Sequence, residues 1–543
     1  MDEGSEILEE LAEASDPTGP ATGGAGDQRV IVGQTGQNVV GLVVGAAATF
    51  VAQVLMTHRL GGDLFGVVTL TTQFAFIAAA ATRFGMDVAN VRLVAILVGR
   101  GESARSRGLV RRSTLIATVV SVPFALLVFA ASPWLAETFS GIPDAAVNAF
   151  RAAAITIPLA ALAFTAMGAT RGLKIMRYTL LAQWAAQPIG WIAFALVLWA
   201  VAAATAAITT FAFALSWALA LAIAWWGWHR ERAKFDPATA VGEGIAEEHT
   251  GALVRFGALR APATLFSQLI FWADFFVLSY LMAPLGVLGQ EQVGVYGGVL
   301  RAGQSLFLFL TSVSLTFSPF VADLHHRGEI DRLDHLYKQV TRWTLAATIP
   351  VLLVLAILPA EVLRIFGPEF VEGAPALRIL IIGMIVPVMV GTVGFILIMA
   401  GRTGWDLLVY IGGFTIDIGL AFVLAQPDVL GFKGAAIAQA ITLTFTALAR
   451  LFLVQRFLRI WPFERAYVRL LVPTAIGAAT MIAVHLVVPE AKWFLNLMAS
   501  AALGAVAYFA VVLAVGLPAN ERAMAGKFLA KVTHRGAARP AAG

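Results

Sequence analysis

The sequence predicts an all-α integral membrane protein of 14 transmembrane helices. Two homologous six-helix lobes in parallel orientation come first, and two extra C-terminal helices follow. Three observations predict this. Of 543 residues, 59% are hydrophobic and only 13% are charged, against about 25% charged in a typical soluble domain. Apolar runs of the length that crosses a bilayer, about 20 residues, recur fourteen times. One charged-to-apolar junction is also written twice, 227 residues apart.

The fourteen runs fall roughly at 39–58, 64–84, 114–136, 150–170, 180–201, 206–228, 261–283, 293–320, 343–363, 379–400, 406–425, 433–454, 468–488 and 493–517. Around residue 203, AVAAATAA leaves room for a tight turn, so 180–228 reads as two spans. Basic loops stay cytoplasmic. With the amino terminus inside, inner loops and tails hold about 30 of the 38 Lys and Arg, by the same rule. The outer loops hold only Arg59, Arg151, Arg364, Arg378, Lys433 and Lys492. This predicts an even number of spans in the cytoplasmic (inner or plasma) membrane, with both termini cytoplasmic.

The first 28 residues carry eight acids and no base, which excludes a signal peptide with a basic start. They read as a solvated acidic tail, or as a regulatory or partner contact. The carboxyl tail from Asn520 is basic and is expected near anionic inner-leaflet lipid.

The repeat places the boundaries. Gly99–Pro123 and His326–Pro350 share seven of 25 positions, among them Arg100 with Arg327, Arg105 with Arg332 and Pro123 with Pro350. LFGVVTLTTQF at Leu64 matches QVGVYGGVLRAGQ at Gln292, and MGATRG at Met167 matches MAGRTG at Met399. Each junction reads as a cytoplasmic loop entering a helix, and matched junctions lie six spans apart. An even number gives halves of equal orientation, the repeat pattern of many secondary transporters. The resulting division is an acidic cytoplasmic tail (1–33), an N-lobe of spans 1–6 (34–230), a cytoplasmic linker (231–254), a C-lobe of spans 7–12 (255–460), spans 13 and 14 (461–518) and a basic cytoplasmic tail (519–543).

A charge at the bilayer centre costs roughly 2.5–3.5 kcal/mol, so it tends to mark function. Three stand out: Asp274 in span 7, Arg301 in span 8 and Asp417 in span 11. At a rise of 1.5 Å per residue, they lie about 13, 12 and 12 Å from the outer face. Spans 7 and 8 are consecutive and antiparallel, so Asp274 and Arg301 are expected to meet. Such a pair either glues two helices together or lines a polar cavity open to a substrate phosphate or a coupling ion. Arg83, followed by Asp87 and Arg92, reads as a charged inner mouth, whereas Arg450 reads as snorkelling to the headgroups. Asn38, Gln53 and Gln73 either line a cavity or hydrogen-bond between helices. His485 reads as interfacial. Pro158, Pro188, Pro350 and Pro387 cut spans, for bending or as packing kinks.

Several functions are excluded. With no cysteine, disulfides, thiolate metal sites and cysteine nucleophiles are impossible. The eight His are scattered, so no metal or other cofactor is expected. No nucleotide loop, nucleophile elbow or metal pair appears, so no catalytic residues are expected and the chain reads as no enzyme. The net charge of +5 follows from membrane topology, not from a nucleic-acid partner.

The run from ADFFVLSYLM through EQVGVYGGVLRAGQSLFLFLTSVSLTFSPFVADLHHRGEIDRLDHLYKQVTRW resembles the polysaccharide-exporter (oligosaccharide flippase) branch of the multidrug/oligosaccharidyl-lipid/polysaccharide (MOP) superfamily. FGPEFVEGAPALRILIIGMIVPVMVGTVGFILIMAGRTGWDLL, GFKGAAIAQAITLTFTALARLFLVQRF and MTHRLGGDLFGVVTL are similar to that branch too. The resemblance covers about residues 34–517. It implies a two-lobed transporter that moves a polyprenyl-linked oligosaccharide, a precursor of a surface polysaccharide or glycan, from the inner to the outer leaflet by alternating access. It implies that a cationic cavity receives the pyrophosphate and sugar, with Arg83, Asp274 and Arg301 as candidates by position. Membrane lipid is a further partner, and glycan-assembly enzymes are candidate partners. No ATP site is visible, so energy is expected from an ion gradient, the membrane potential or substrate supply; a proton or sodium ion is a candidate coupling ion, with Asp274 or Asp417 as its carrier. An ion-coupled multidrug or metabolite antiporter of the same fold stands second. A lipid II flippase ranks lower, because span 1 has no internal Arg and Arg59 is at its outer end.

Overall fold

A computed structural model describes residues 25–99, 103–235, 247–489 and 492–516. Most of the acidic tail, Arg100 to Glu102 of the repeated junction, the middle of the expected linker and the basic tail lie outside the described residues. Every regular element among the described residues is helical. Hydrocarbon enforces this, because each helix pairs its own backbone groups and needs no water. The chain divides into two units, one holding residues to Leu60 and Val67–Gln268, the other Gly61–Gly66 and residues from Leu269 onward.

α1 (Ala25–Thr82), most of it in the first unit, holds spans 1 and 2, separated at Gly61. Gly61 has φ 79° and ψ 172°, which a side chain would resist. Phe84 and Gly85, both at positive φ, then turn the chain into α2 (Met86–Gly99), a helix the hydropathy pattern did not predict. α3 (Ser103–Ala130), α4 (Ser132–Phe139), α5 (Pro143–Gly172), α6 (Arg177–Val201), α7 (Ala206–Phe235) and α8 (Glu247–Leu269) follow. The charged run after Gly99 was expected to be a loop. From Ser103 it is helix, so Arg105, Arg107, Arg111 and Arg112 ride on α3.

α5 packs along α7, α3 and α2. Its buried face is mostly Ala, from Ala146 to Ala169, and small residues let membrane helices approach closely. Gly168 and Gly172 of the repeated MGATRG motif take this furthest. A Cβ on Gly168 would stand 2.2 Å from the Asp87 carbonyl oxygen, and one on Gly172 2.8 Å from that of Asn90. Asn90 Nδ2 donates to the Thr165 carbonyl (3.0 Å) and locks the crossing. The outward face of α3 is apolar instead: Leu115, Val119 and Leu126 are exposed, Leu126 by 65%. Lipid chains are the partner for such a face.

The second unit runs α9 (Ala273–Met282), α10 (Val287–His326), α11 (Ile330–Ile357), α12 (Pro359–Arg364), α13 (Ala374–Val390), α14 (Val393–Met399), α15 (Thr403–Leu424), α16 (Phe432–Leu458), α17 (Leu471–Val487) and α18 (Trp493–Val511). Span 10 breaks between α13 and α14 at Gly391 (φ 68°), four residues after Pro387. Pro158 and Pro350 stay inside unbroken helices. Just before Pro188 the helix widens to π geometry over Leu180–Ala186, where proline's missing N–H removes a backbone bond. α17 and α18 pack on α11, where the Tyr508 hydroxyl donates to the Ala346 carbonyl (2.9 Å) and buried Arg342 pairs with Glu464. His485 Nδ1 lies 3.2 Å from Asn496 Oδ1.

All fourteen expected spans fall on helices. By length and hydropathy alone, 11 helices among the described residues suit a crossing, or up to 12 if the bent pair Leu253–Leu269 and Ala273–Leu285 is one span. Val44–Thr82 is one of the 11 yet holds two expected spans. The count is compatible with fourteen.

Candidate functional site

The second unit builds its polar site around a break. Span 7 stops at Leu269 and restarts at Ala273. A broken helix leaves backbone groups without partners, and in a membrane these must be met from elsewhere. Two side chains from neighbouring helices meet them here. Gln439 of α16 donates from Nε2 to the Ile270 carbonyl (3.1 Å). Asp417 of α15 accepts the Asp274 backbone N–H at Oδ2 (3.0 Å). A carboxylate also suits the positive end of α9.

The result is a carboxyl pair held by four helices. Asp274 and Asp417 are each 0% exposed. The Tyr296 hydroxyl of α10 donates to Asp274 Oδ2, and Thr442 of α16 donates from Oγ1 to Asp417 Oδ1 (3.3 Å). Asp274 Oδ1 is buried, and among the described residues no donor reaches it. Two like charges sealed together with an orphaned oxygen are costly unless a cation or a proton joins them. The donor set is hard oxygen, which suits a proton or an alkali cation. Among the described residues no group of three or more His, Asp or Glu forms a metal cage.

Arg301, also on α10, does not pair with Asp274 as expected. Its guanidinium lies over the Trp272 ring, 4.7 Å from the centroid, and Trp272 sits in the break. The physical reason is register. The bend carries Asp274 into the first turn of α9, where Tyr296, five residues before Arg301, takes its carboxylate. Arg301 is part-buried, and among the described residues no acceptor meets its Nε.

Arg450 departs from expectation too. It does not snorkel: Nε donates to Asp406 Oδ1 at 2.8 Å and the guanidinium lies 4.3 Å from the Tyr410 ring centroid. In the first unit, Arg83 Nε lies 3.4 Å from Asp87 Oδ2 and the guanidinium is over Phe164 at 4.5 Å. The expected mouth thus holds an Arg83–Asp87 pair, and Arg92 is exposed. Gln53 and Gln73 are buried. Asn38 lies on α1, and its side chain is outside the described residues.

Sequence reasoning missed Tyr296, Gln439 and Thr442. All are polar residues inside apolar spans, the signal used for Gln53 and Gln73, and were passed over because they carry no charge. No sequence signal marks the break, since LIFWA contains neither Gly nor Pro.

A family model described as polysaccharide biosynthesis protein matches residues 34–325, more than half of the chain. The chain belongs to the polysaccharide biosynthesis protein family. The expected polysaccharide-exporter branch of the MOP superfamily is borne out. A second model, MatE, matches residues 263–423. No curated protein matches the chain. The fold is similar to an inward-facing multidrug resistance MATE family transporter of the MOP superfamily (TM-score 0.63, 14% identity, covering 78% of this chain and 98% of that one). It is also similar to the lipid II flippase MurJ in an inward closed conformation (TM-score 0.62, 13% identity, 86% and 98%). A third is a MOP superfamily transporter from Pyrococcus furiosus, described as having a binding pocket of reverse polarity (TM-score 0.57, 15% identity, 78% and 95%). This member of the polysaccharide biosynthesis family is therefore a multi-pass membrane protein with the fold of transporters and flippases.

Proposed function

We propose that the chain flips a polyprenyl-linked oligosaccharide from the inner to the outer leaflet of the cytoplasmic membrane by alternating access, with both termini cytoplasmic and an ion gradient as the energy source. The observation that carries this reading is Arg301. It is a part-buried guanidinium at membrane depth whose Nε–H meets no acceptor among the described residues, in a chain of the polysaccharide biosynthesis family. A guanidinium matches phosphate through paired N–H donors. The polyprenyl tail stays in lipid while the headgroup crosses against polar side chains.

The carboxyl pair takes the ion role. Asp274 is sealed from solvent, which suits a coupling proton or sodium ion better than a sugar. Binding there would act on the first turn of α9, which Asp417 and Tyr296 hold through Asp274. The MatE match spans both aspartates, and it supports the second reading, an ion-coupled antiporter of small molecules.

Reconstituted vesicles carrying a fluorescent polyprenyl-pyrophosphoryl sugar test the Arg301 role. Arg301→Gln is expected to lower flipping at least about tenfold, the loss of one charge-assisted hydrogen bond. Arg301→Lys is expected to retain part of the rate. Wild-type flipping by Arg301→Gln would remove Arg301 from the site.

A further inference from the structure

The first unit holds a cavity of about 600 Å³ between the first turns of α3 and the last turns of α7. Its lining includes Arg107 and Arg111 from α3, and Trp225, Trp228, His229 and Arg232 from α7. The spacing explains the gathering. Residues four apart share one helix face, as do 225, 228, 229 and 232. Trp228 is buried. Trp225 and His229 lie ring to ring at 5.5 Å, and His229 Nδ1 donates to the Trp225 carbonyl at 2.9 Å, which fixes the imidazole. None of the nine lining residues is acidic. Arg107 also interacts within the protein.

This combination has a chemistry. Guanidiniums fork onto phosphate oxygens. Tryptophans place an apolar body and a polar edge at the membrane interface. The basic-residue distribution assigns these helix ends to the cytoplasmic face, where the leaflet is anionic. We propose that the cavity binds the net-anionic phosphate headgroup of an inner-leaflet lipid, at a site other than that of Arg301. The α3 side of the cavity falls in the repeated junction. Its counterpart on α11 differs: Arg107 and Arg111 align with Asp334 and Lys338, which pair with each other. The headgroup site thus belongs to one copy of the repeat.

Two sources share this chemistry, an anionic phospholipid and a polyprenyl phosphate. The full chain is placed in phosphatidylcholine nanodiscs containing a small fraction of photoreactive phosphatidylglycerol, photoreactive polyprenyl phosphate or photoreactive phosphatidylcholine. Cross-linked peptides are then mapped. Labelling of 103–114 and 225–235 by either phosphate monoester or anionic diester, at least about tenfold above phosphatidylcholine, supports the site. Whichever lipid labels names the source. The triple variant Arg107→Gln, Arg111→Gln, Arg232→Gln is expected to lose that preference, and the corresponding Lys variant to keep most of it. Raising salt on the wild type, which needs no variant to fold, is expected to lower labelling several-fold. Equal labelling by phosphatidylcholine, an unchanged triple variant, or salt-independent labelling overturns the proposal.

Discussion

Asp417 has two separable duties, and substitutions that split them give the sharpest prediction. Its Oδ2 accepts the Asp274 backbone N–H and its Oδ1 accepts the Thr442 hydroxyl. Asp417→Ala removes both acceptors from a site that is fully buried. One orphaned backbone N–H costs about 1–3 kcal/mol. Losing a carboxylate at a helix N-terminus adds about 0.5–1 kcal/mol. The Thr442 hydroxyl already bonds weakly and can turn away, so it adds little. The expected destabilisation of Asp417→Ala is about 2–4 kcal/mol. Asp417→Asn keeps an acceptor oxygen of the same size and is expected to cost under about 1 kcal/mol, while abolishing the dependence of transport on an ion gradient. Denaturant unfolding of the detergent-solubilised protein gives the first quantity, and gradient-driven flipping in vesicles gives the second. Equal stability of the Ala and Asn variants would refute the capping role. A gradient response surviving in Asp417→Asn would refute the coupling role.

Gly168→Val should push a side chain into the Asp87 backbone, 2.2 Å from where Cβ would sit, at a cost of about 1–3 kcal/mol; unfolding midpoints check this. Arg450→Ala strands buried Asp406 and is expected to cost about 3–5 kcal/mol. Adding Asp406→Ala should restore part of that loss, and a double-mutant cycle with no coupling would show that the pair does not act as a unit. Tyr296→Phe removes the phenol donor to Asp274. It is expected to change the ion concentration that gives half-maximal flipping while leaving polyprenyl-lipid affinity alone, and a change in lipid affinity with no ion effect would contradict the assignment.

Much of this fold was legible because bilayer crossing imposes a simple rule on composition. Leu115, Val119 and Leu126 face outward on α3, and any pattern search finds such runs. The breaks were less legible. Gly61 and Gly391 announce themselves by residue type, but the bend at residues 270–272 carries aromatic and aliphatic side chains only. It persists because Gln439 and Asp417, more than 140 residues away in sequence, meet the freed backbone groups. The expected Asp274–Arg301 pair failed for the same reason: depth along a straight helix does not anticipate a bend. α2 was missed because Asp87, Asn90 and Arg92 break its apolar run, although Gly168 and Gly172 are small in order to receive it.

The transport reading rests on the class of cargo. Vesicles holding the wild-type protein, loaded with either a fluorescent polyprenyl-pyrophosphoryl sugar or a small cationic dye, distinguish the two readings in one measurement. Movement of the lipid-linked sugar between leaflets, with the dye retained, is the expected result. Gradient-driven expulsion of the dye while the sugar lipid stays in its leaflet would contradict it.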